Sequence, residues 1–211
     1  MKTDSLSKPR TLVQPRSYRF RAVMTSYAVI SVVSHILFSV VFAFLQLWDI
    51  AIYMAFAGLL WIGIYLLNRR GNHLAAFLLG VVETFTMAAL TSFTLGWQSG
   101  FYLYVLVEVL LTFINTKLSN LVQILLGVIS GVLLLYLFSF SPAEPVLGSL
   151  DHALTMMNLA IIVAMIGFTG HNFEASANGA EAELLNTNRK LMDLAATDPV
   201  TNLINRRNMM L

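Results

Sequence analysis

The sequence predicts an all-α membrane protein, a bundle of six transmembrane helices followed by a polar helix. Three observations lead there. The 211 residues are 57% hydrophobic and only 11% charged, with a mean hydropathy of +0.74, whereas about a quarter of the residues of a soluble domain carry charge. The apolar residues are gathered into runs near the length of about 20 residues that crosses a bilayer. Most of the few charges sit outside those runs, and all the basic ones fall on one side.

Residues 1–21 form a basic tail broken by Pro9 and Pro15, expected to be poorly ordered to about Tyr18. The apolar run that follows is too long for the h-region of a signal peptide and lacks a small-x-small cleavage site, so it reads as a retained anchor. The first span is expected at Ala22–Leu45, then a tight connection, Gln46–Ile50, with Trp48 at interface depth. A second span runs to Leu67 and ends in the polar turn Asn68-Arg69-Arg70-Gly71-Asn72. The third covers His73–Leu95 and stops at the glycine-bounded Gly96-Trp97-Gln98-Ser99-Gly100. The fourth, Phe101–Ile114, is short. After Asn115-Thr116-Lys117 come a fifth at Asn120–Phe138, a loop with Pro142 and Pro145, and a sixth at Asp151–Phe173.

Threading six spans puts all 13 Lys and Arg on one side. They lie in the N-tail, at Arg69 and Arg70, at Lys117, and after the sixth span at Arg189, Lys190, Arg206 and Arg207. The opposite loops carry Asp49, Glu144 and Asp151. The positive-inside rule then makes both termini cytoplasmic. The basic tail suits anionic membrane lipid better than nucleic acid. The absence of Cys excludes disulfides and thiol chemistry, and no P-loop, dinucleotide-binding glycine pattern or nucleophile motif occurs.

Three ionisable residues fall inside spans, His35, Glu83 and Glu108. A carboxylate at mid-bilayer costs about 3 kcal/mol or more on insertion scales, so such groups face the bundle interior, pair or stay protonated. At 1.5 Å per residue, Glu83 lies roughly 15 Å from the cytoplasmic end of its span, Glu108 roughly 10 Å and His35 roughly 20 Å. The third and fourth spans are joined by a short turn, so antiparallel packing brings the two carboxyls to similar depth. One reading is a ligand pocket of His35, Glu83 and Glu108, with Trp97, Phe101, Tyr102 and Tyr104 at its outer mouth. The other is a set of interhelical hydrogen bonds that holds the bundle together. One His and two Glu are acceptable metal ligands, but no short ligand spacing occurs, and no metal site is expected. Asn158 and Gln123 are expected to bond between helices, and His73, His152 and His171 to sit near span ends. Gly127 and Gly131 form a GxxxG, and Ala160, Ala164, Gly167 and Gly170 a small-residue stripe, which permit close helix approach.

From Glu174 to Thr197 the chain is polar and helix-forming. Ala177, Glu181, Leu184, Asn188, Leu191 and Ala195 follow a four–three spacing. That is either a solvated linker or a short parallel coiled coil that continues the sixth span, in which Asn188 sets register and dimer state. Pro199 stops the helix, because the residue before a proline is pushed out of the α region. Asn205 is placed to cap the next helix.

The segment from Asp198, with Pro199-Val200-Thr201-Asn202-Leu203 and then Asn205-Arg206-Arg207, resembles the opening of the GGDEF family, the diguanylate cyclases. That family begins its catalytic domain with an Asp, a Leu-Thr-Gly-Leu turn and an Asn-Arg-Arg. Here Val200 stands for Leu. Asn202 stands for Gly, and Asn is the residue other than Gly that best tolerates a left-handed turn.

The resemblance implies a chain of four parts. They are a cytoplasmic tail at 1–21, a six-helix sensor at 22–173, a signalling helix at 174–197 and the start of a GGDEF-like domain at 198–211, with Asp198, Thr201, Asn205 and Arg206 at the junction. It also implies a bacterial inner-membrane homodimer that responds to a small amphiphilic or lipid-like ligand. In it, two cyclase domains condense two GTP, with Mg2+, into cyclic di-GMP. The catalytic residues lie beyond Leu211, so the chain itself is expected to be inactive. A transporter or proton relay through Glu83 and Glu108, and a passive anchor and dimeriser, are the alternatives.

Overall fold

A computed structural model describes residues 15–115, 117–144 and 146–196. It contains six α-helices, α1 (Pro15–Phe44), α2 (Trp48–Arg69), α3 (His73–Leu95), α4 (Tyr104–Ile114), α5 (Asn120–Phe140) and α6 (Ser149–Ala196). Two 3-10 turns, Trp97–Ser99 and Phe101–Leu103, precede α4. Among the described residues there is no strand, and the architecture is an all-helical bundle.

Five of the helices are long and apolar enough to cross a membrane, and the segment Phe101–Ile114 is shorter. Their surfaces are inverted relative to those of a soluble protein. Leu121, Ile124, Val128, Val132 and Leu135 of α5 are exposed, as are Phe56 and Leu59 of α2 and Val82 of α3. Such continuous apolar surface exceeds what a water-soluble monomer presents. The buried residues include His35, Asn68, Glu83, Glu108 and Asn158. Polar inside and apolar outside is the arrangement of a bundle solvated by hydrocarbon.

α1 packs mainly along α2 and α6, α2 also along α3, and α4 along α5. The core is aromatic, with Phe20, Tyr27, Phe38, Phe42, Trp61, Phe77 and Phe101 fully buried. α5 is peripheral and buries only Ser130 and Leu137.

The helix ends follow from local chemistry. α1 begins at Pro15, ahead of the expected Ala22, because proline in the first turn has no amide hydrogen to lose and its φ suits a helix. It closes with Leu47 N–H donating to Phe42 O (2.9 Å) and Gln46 N–H to Ala43 O (3.1 Å). That is a Schellman ending, with Gln46 at φ 61° where glycine is usual. α2 ends the same way, with Asn72 donating to Leu67 O, Gly71 to Asn68 O and Gly71 at φ 91°. α3 has the bounds expected for the third span. α5 starts at Ser119, whose hydroxyl accepts from Val122 N.

One feature differs from expectation. The fourth span is only partly α-helical, because Gly96 and Gly100, at φ 83° and 80°, divide its approach into 3-10 turns. Lipid offers no substitute partner for the backbone groups released there, and α6 supplies some of them. Asn158 Nδ2 donates to Ser99 O at 2.8 Å, and the Thr155 hydroxyl donates to Gln98 O. Gly100 also makes room, since a Cβ there would sit 3.2 Å from Thr155 Cα.

As expected of a polar helix that continues the sixth span, the two form one unbroken helix of 48 residues. No proline or positive-φ residue interrupts it, and it is about 72 Å long at 1.5 Å per residue. Leu184, Leu185, Leu191 and Met192 are exposed on its polar half. The junction residues Asp198, Thr201, Asn205 and Arg206 lie outside the described residues, as does the N-tail to residue 14.

Candidate functional site

The interior of the bundle holds a polar cluster assembled by four helices. Its first wall is a stripe on α1, Tyr27, Ser31, Ser34 and His35, spaced so that all four share one face. His35 Nδ1 lies 2.7 Å from Ser31 O. A carbonyl oxygen only accepts, so Nδ1 carries the proton of that bond. Nε2 lies 3.2 Å from Glu83 Oε1.

One proton therefore serves the contact between His35 and Glu83. It gives either an imidazolium facing a carboxylate or a neutral imidazole facing a carboxylic acid. Both forms are neutral as a pair, which removes most of the cost of burying either charge alone.

Glu83 receives two further donors, Tyr53 Oη to Oε1 at 3.2 Å and Trp61 Nε1 to Oε2 at 2.7 Å. Trp61 reaches α3 because residue 80 is glycine, where an added Cβ would approach the indole to 3.0 Å. Glu108 on α4 has its own partners. Tyr27 Oη and the Thr84 hydroxyl both donate to Oε1, at 2.8 and 3.2 Å. Its Oε2 is buried and has no hydrogen-bond partner among the described residues.

The structure thus unites His35 with Glu83 and gives Glu108 to a neighbouring pair of hydroxyls. No hydrogen bond joins the two carboxyls. Between the two sets lies a void lined by Tyr27, Ser34, His35, Trp61, Thr84 and Tyr104, with room for about one water molecule. A small amphiphile does not fit there in this packing. The observed bonds are those of the interhelical reading.

The aromatic residues separate. Tyr104 is buried and donates to Asn158 Oδ1 at 3.0 Å, tying α4 to α6. Phe101 packs in the core against Phe38 and Phe42. Trp97 stacks on Tyr102, with centroids 3.5 Å apart and planes within 8°. These two line a second, open pocket of about 350 Å³ with Gln98, Gly100, His152 and Thr155. It lies at the end of the bundle opposite Arg69, Arg70 and Lys117, where Trp97 N–H donates to Pro142 O and Gln98 Nε2 to Ala143 O. His152, expected only near a span end, belongs to this pocket.

Tyr27, Tyr53, Trp61 and Thr84 were not anticipated. Tyr27 and His35 are eight residues apart on α1, and so are Tyr53 and Trp61 on α2. That two-turn spacing was the signal available. Asn68 is a further surprise. Expected in a turn, it is fully buried, donating to Arg21 O (3.1 Å) and Thr25 Oγ1 (3.0 Å) and accepting from His73 Nδ1 (2.7 Å). Asn158 bonds between segments as expected, whereas Gln123 turns back to Asn115 O in the adjoining turn.

Gly127 packs against the Phe113 ring, while Gly131, Gly167 and Gly170 have nothing within 4 Å of a Cβ position. Among the described residues, no three His, Asp or Glu are grouped to hold a metal ion. Leu184, Asn188 and Leu191 are exposed on α6, far from both sites. No family model matches the chain, and no match was found among curated proteins or solved structures.

Proposed function

We propose that this chain is the membrane-embedded sensory part of a homodimeric diguanylate cyclase, with both termini cytoplasmic. In this reading α6 passes the state of the bundle to the GGDEF-like segment that opens at Asp198. The observation that carries it is the continuity of α6. A single helix begins at Ser149, beside the open pocket, and runs to Ala196, two residues before Asp198. A passive anchor has no need of such a connection.

The exposed leucines of α6 support a parallel pair of helices. Leu184 and Leu191, and Leu185 and Met192, are two exposed apolar pairs seven residues apart, the repeat that two α-helices bury against each other. Asn188 stands between them. The catalytic work, condensation of two GTP with Mg2+ to cyclic di-GMP, falls to the cyclase domain. This chain contributes apposition, and a ligand acts on it only through unequal affinity for two packings of the bundle.

The test is a set of insertions after Glu183 in a protein that continues into a GGDEF domain. Seven residues restore the phase of a coiled coil, and four do not. Cyclic di-GMP output should survive the seven-residue insertion and change with the four-residue one. Equal output from both sinks the proposal.

One observation favours a second reading, a proton relay. The void between the Glu83 and Glu108 sets is bordered by groups from each. Glu83→Gln would then abolish proton flux in sealed vesicles, whereas a receptor shows no flux to abolish.

A further inference from the structure

We infer that the open pocket between the Gly96–Gly100 turn and the start of α6 binds an uncharged amphiphile with a hydroxyl or carbonyl head. The inference rests on the sensory reading above and names where that sensor takes its ligand.

The pocket has the size, about 350 Å³, of the smaller small-molecule sites, and more of its wall is polar than apolar. The stacked Trp97 and Tyr102 supply the apolar wall. Gln98 and His152 supply the polar groups. The Gln98 amide spends its Nε2 on Ala143 O, which leaves its oxygen to accept. His152 is exposed and makes no side-chain hydrogen bond to any described residue. Its imidazole offers one donor and one acceptor. That set fits a hydroxyl, which gives and takes a hydrogen bond, or a carbonyl, which takes one.

The absence of a fixed charge argues against an ionic head. Among the described residues, no Lys, Arg, Asp or Glu lines the pocket. Asp151, one residue away, is buried and holds Leu147 N at 2.9 Å. An anionic head finds no cation here, and a cationic one finds no carboxylate. Next to Trp97 are Phe138 and the apolar surface of α5, so an acyl chain leaving the pocket meets apolar surface continuous with the membrane face.

The pocket is also built into α6. Thr155 lines it and donates to Gln98 O, and one turn on Asn158 holds Ser99 O and Tyr104 Oη. An occupant that prefers one spacing between the 3-10 turns and α6 therefore biases the position of α6, which is the differential affinity a sensor requires.

The experiment uses the chain in phosphatidylcholine nanodiscs with a diazirine-bearing monodecanoin as probe. After photolysis, labelled peptides are mapped by mass spectrometry, with and without excess unlabelled monodecanoin. Competed labelling of residues 97–102 and 148–155 is the expected result. His152→Ala and Gln98→Ala together should weaken competition about tenfold, the loss of two hydrogen bonds. Both side chains are exposed, and an unchanged thermal midpoint certifies the fold of the variant.

Uncompeted labelling of the lipid-facing surfaces of α2 and α5, competed labelling centred instead on the apolar groove that Val29 and Val33 of α1 form with Ile62 and Tyr65 of α2, no labelling, or competition untouched by the double variant each overturns the inference. Occupancy is read without cyclase output. A failure here leaves the insertion test of the sensory reading standing, and a failure there leaves this one standing.

Discussion

The Glu83 cluster and the Trp97 pocket both place polar groups inside an apolar chain, but they use them differently. Around Glu83 each oxygen has a donor, His35 spends both ring nitrogens, and the remaining space fits about one water. Around Trp97 the space is about 350 Å³, and neither His152 nor the Gln98 oxygen is bonded to any of the described residues. Ionisable residues in a transmembrane span invite a functional reading. Here His35 and Glu83 are consumed in joining α1, α2 and α3, and ordinary-looking residues of a 3-10 turn and of the first turn of α6 keep their bonding capacity. Saturation, more than chemical rarity, separates the two regions.

The comparison breaks if the cluster proves dispensable. Glu83→Ala should be the most damaging change, since it strands His35 Nε2, Tyr53 Oη and Trp61 Nε1 in the interior. A loss of about 3–5 kcal/mol is expected, read as a large fall in thermal midpoint in nanodiscs. His152→Ala in the other region should stay within about 0.5 kcal/mol of the parent.

Glu83→Gln sharpens the point. The amide can turn its oxygen to Trp61 or to Tyr53, not to both donors. A cost of about 1–3 kcal/mol follows, and adding Trp61→Phe should cost less in this background than in the parent, as a double-mutant cycle would reveal.

Thr155→Val removes the hydroxyl that ties α6 to Gln98 O. About 1 kcal/mol is expected from one hydrogen bond, with faster hydrogen exchange confined to residues 96–103. Uniform exchange along α3 would count against a local tie.

The smallest effect belongs to Gln46→Gly. A side chain in the left-handed region costs roughly 1–2 kcal/mol, and glycine returns part of that gain through unfolded-state entropy. A net stabilisation of about 0.5 kcal/mol is expected, while Gly71→Ala at the equivalent turn should destabilise.

The helices were legible where the sequence carries punctuation. α3 lies between Gly71 and Gly96, and its bounds agree with the expected third span to the residue. The alternation of loops between two ends was legible from the placement of Lys and Arg. The bounds of α4 were harder, because a 3-10 turn has the same apolar composition as the helix it precedes.

In the cluster, His35, Glu83 and Glu108 stood out by charge, and their burial was anticipated. Their partners were not, because Tyr27, Tyr53 and Trp61 pass for ordinary apolar filling in a span. Only the eight-residue spacings mark them as sharing faces with the groups they bond. The unity of α6 was legible for a different reason. Composition changes at Glu174, but a helix ends at a backbone event, and no proline occurs between Ser149 and Pro199.

The length of α6 turns small angles into large displacements. It is held at its first turns by Asp151, Thr155 and Asn158 and is buried at intervals as far as Ser176, so the part beyond the bundle is a lever of about 30 Å. A tilt of about 5° at the bundle edge carries Ala196 sideways by about 3 Å. Gain of this kind needs no change of secondary structure anywhere along the shaft.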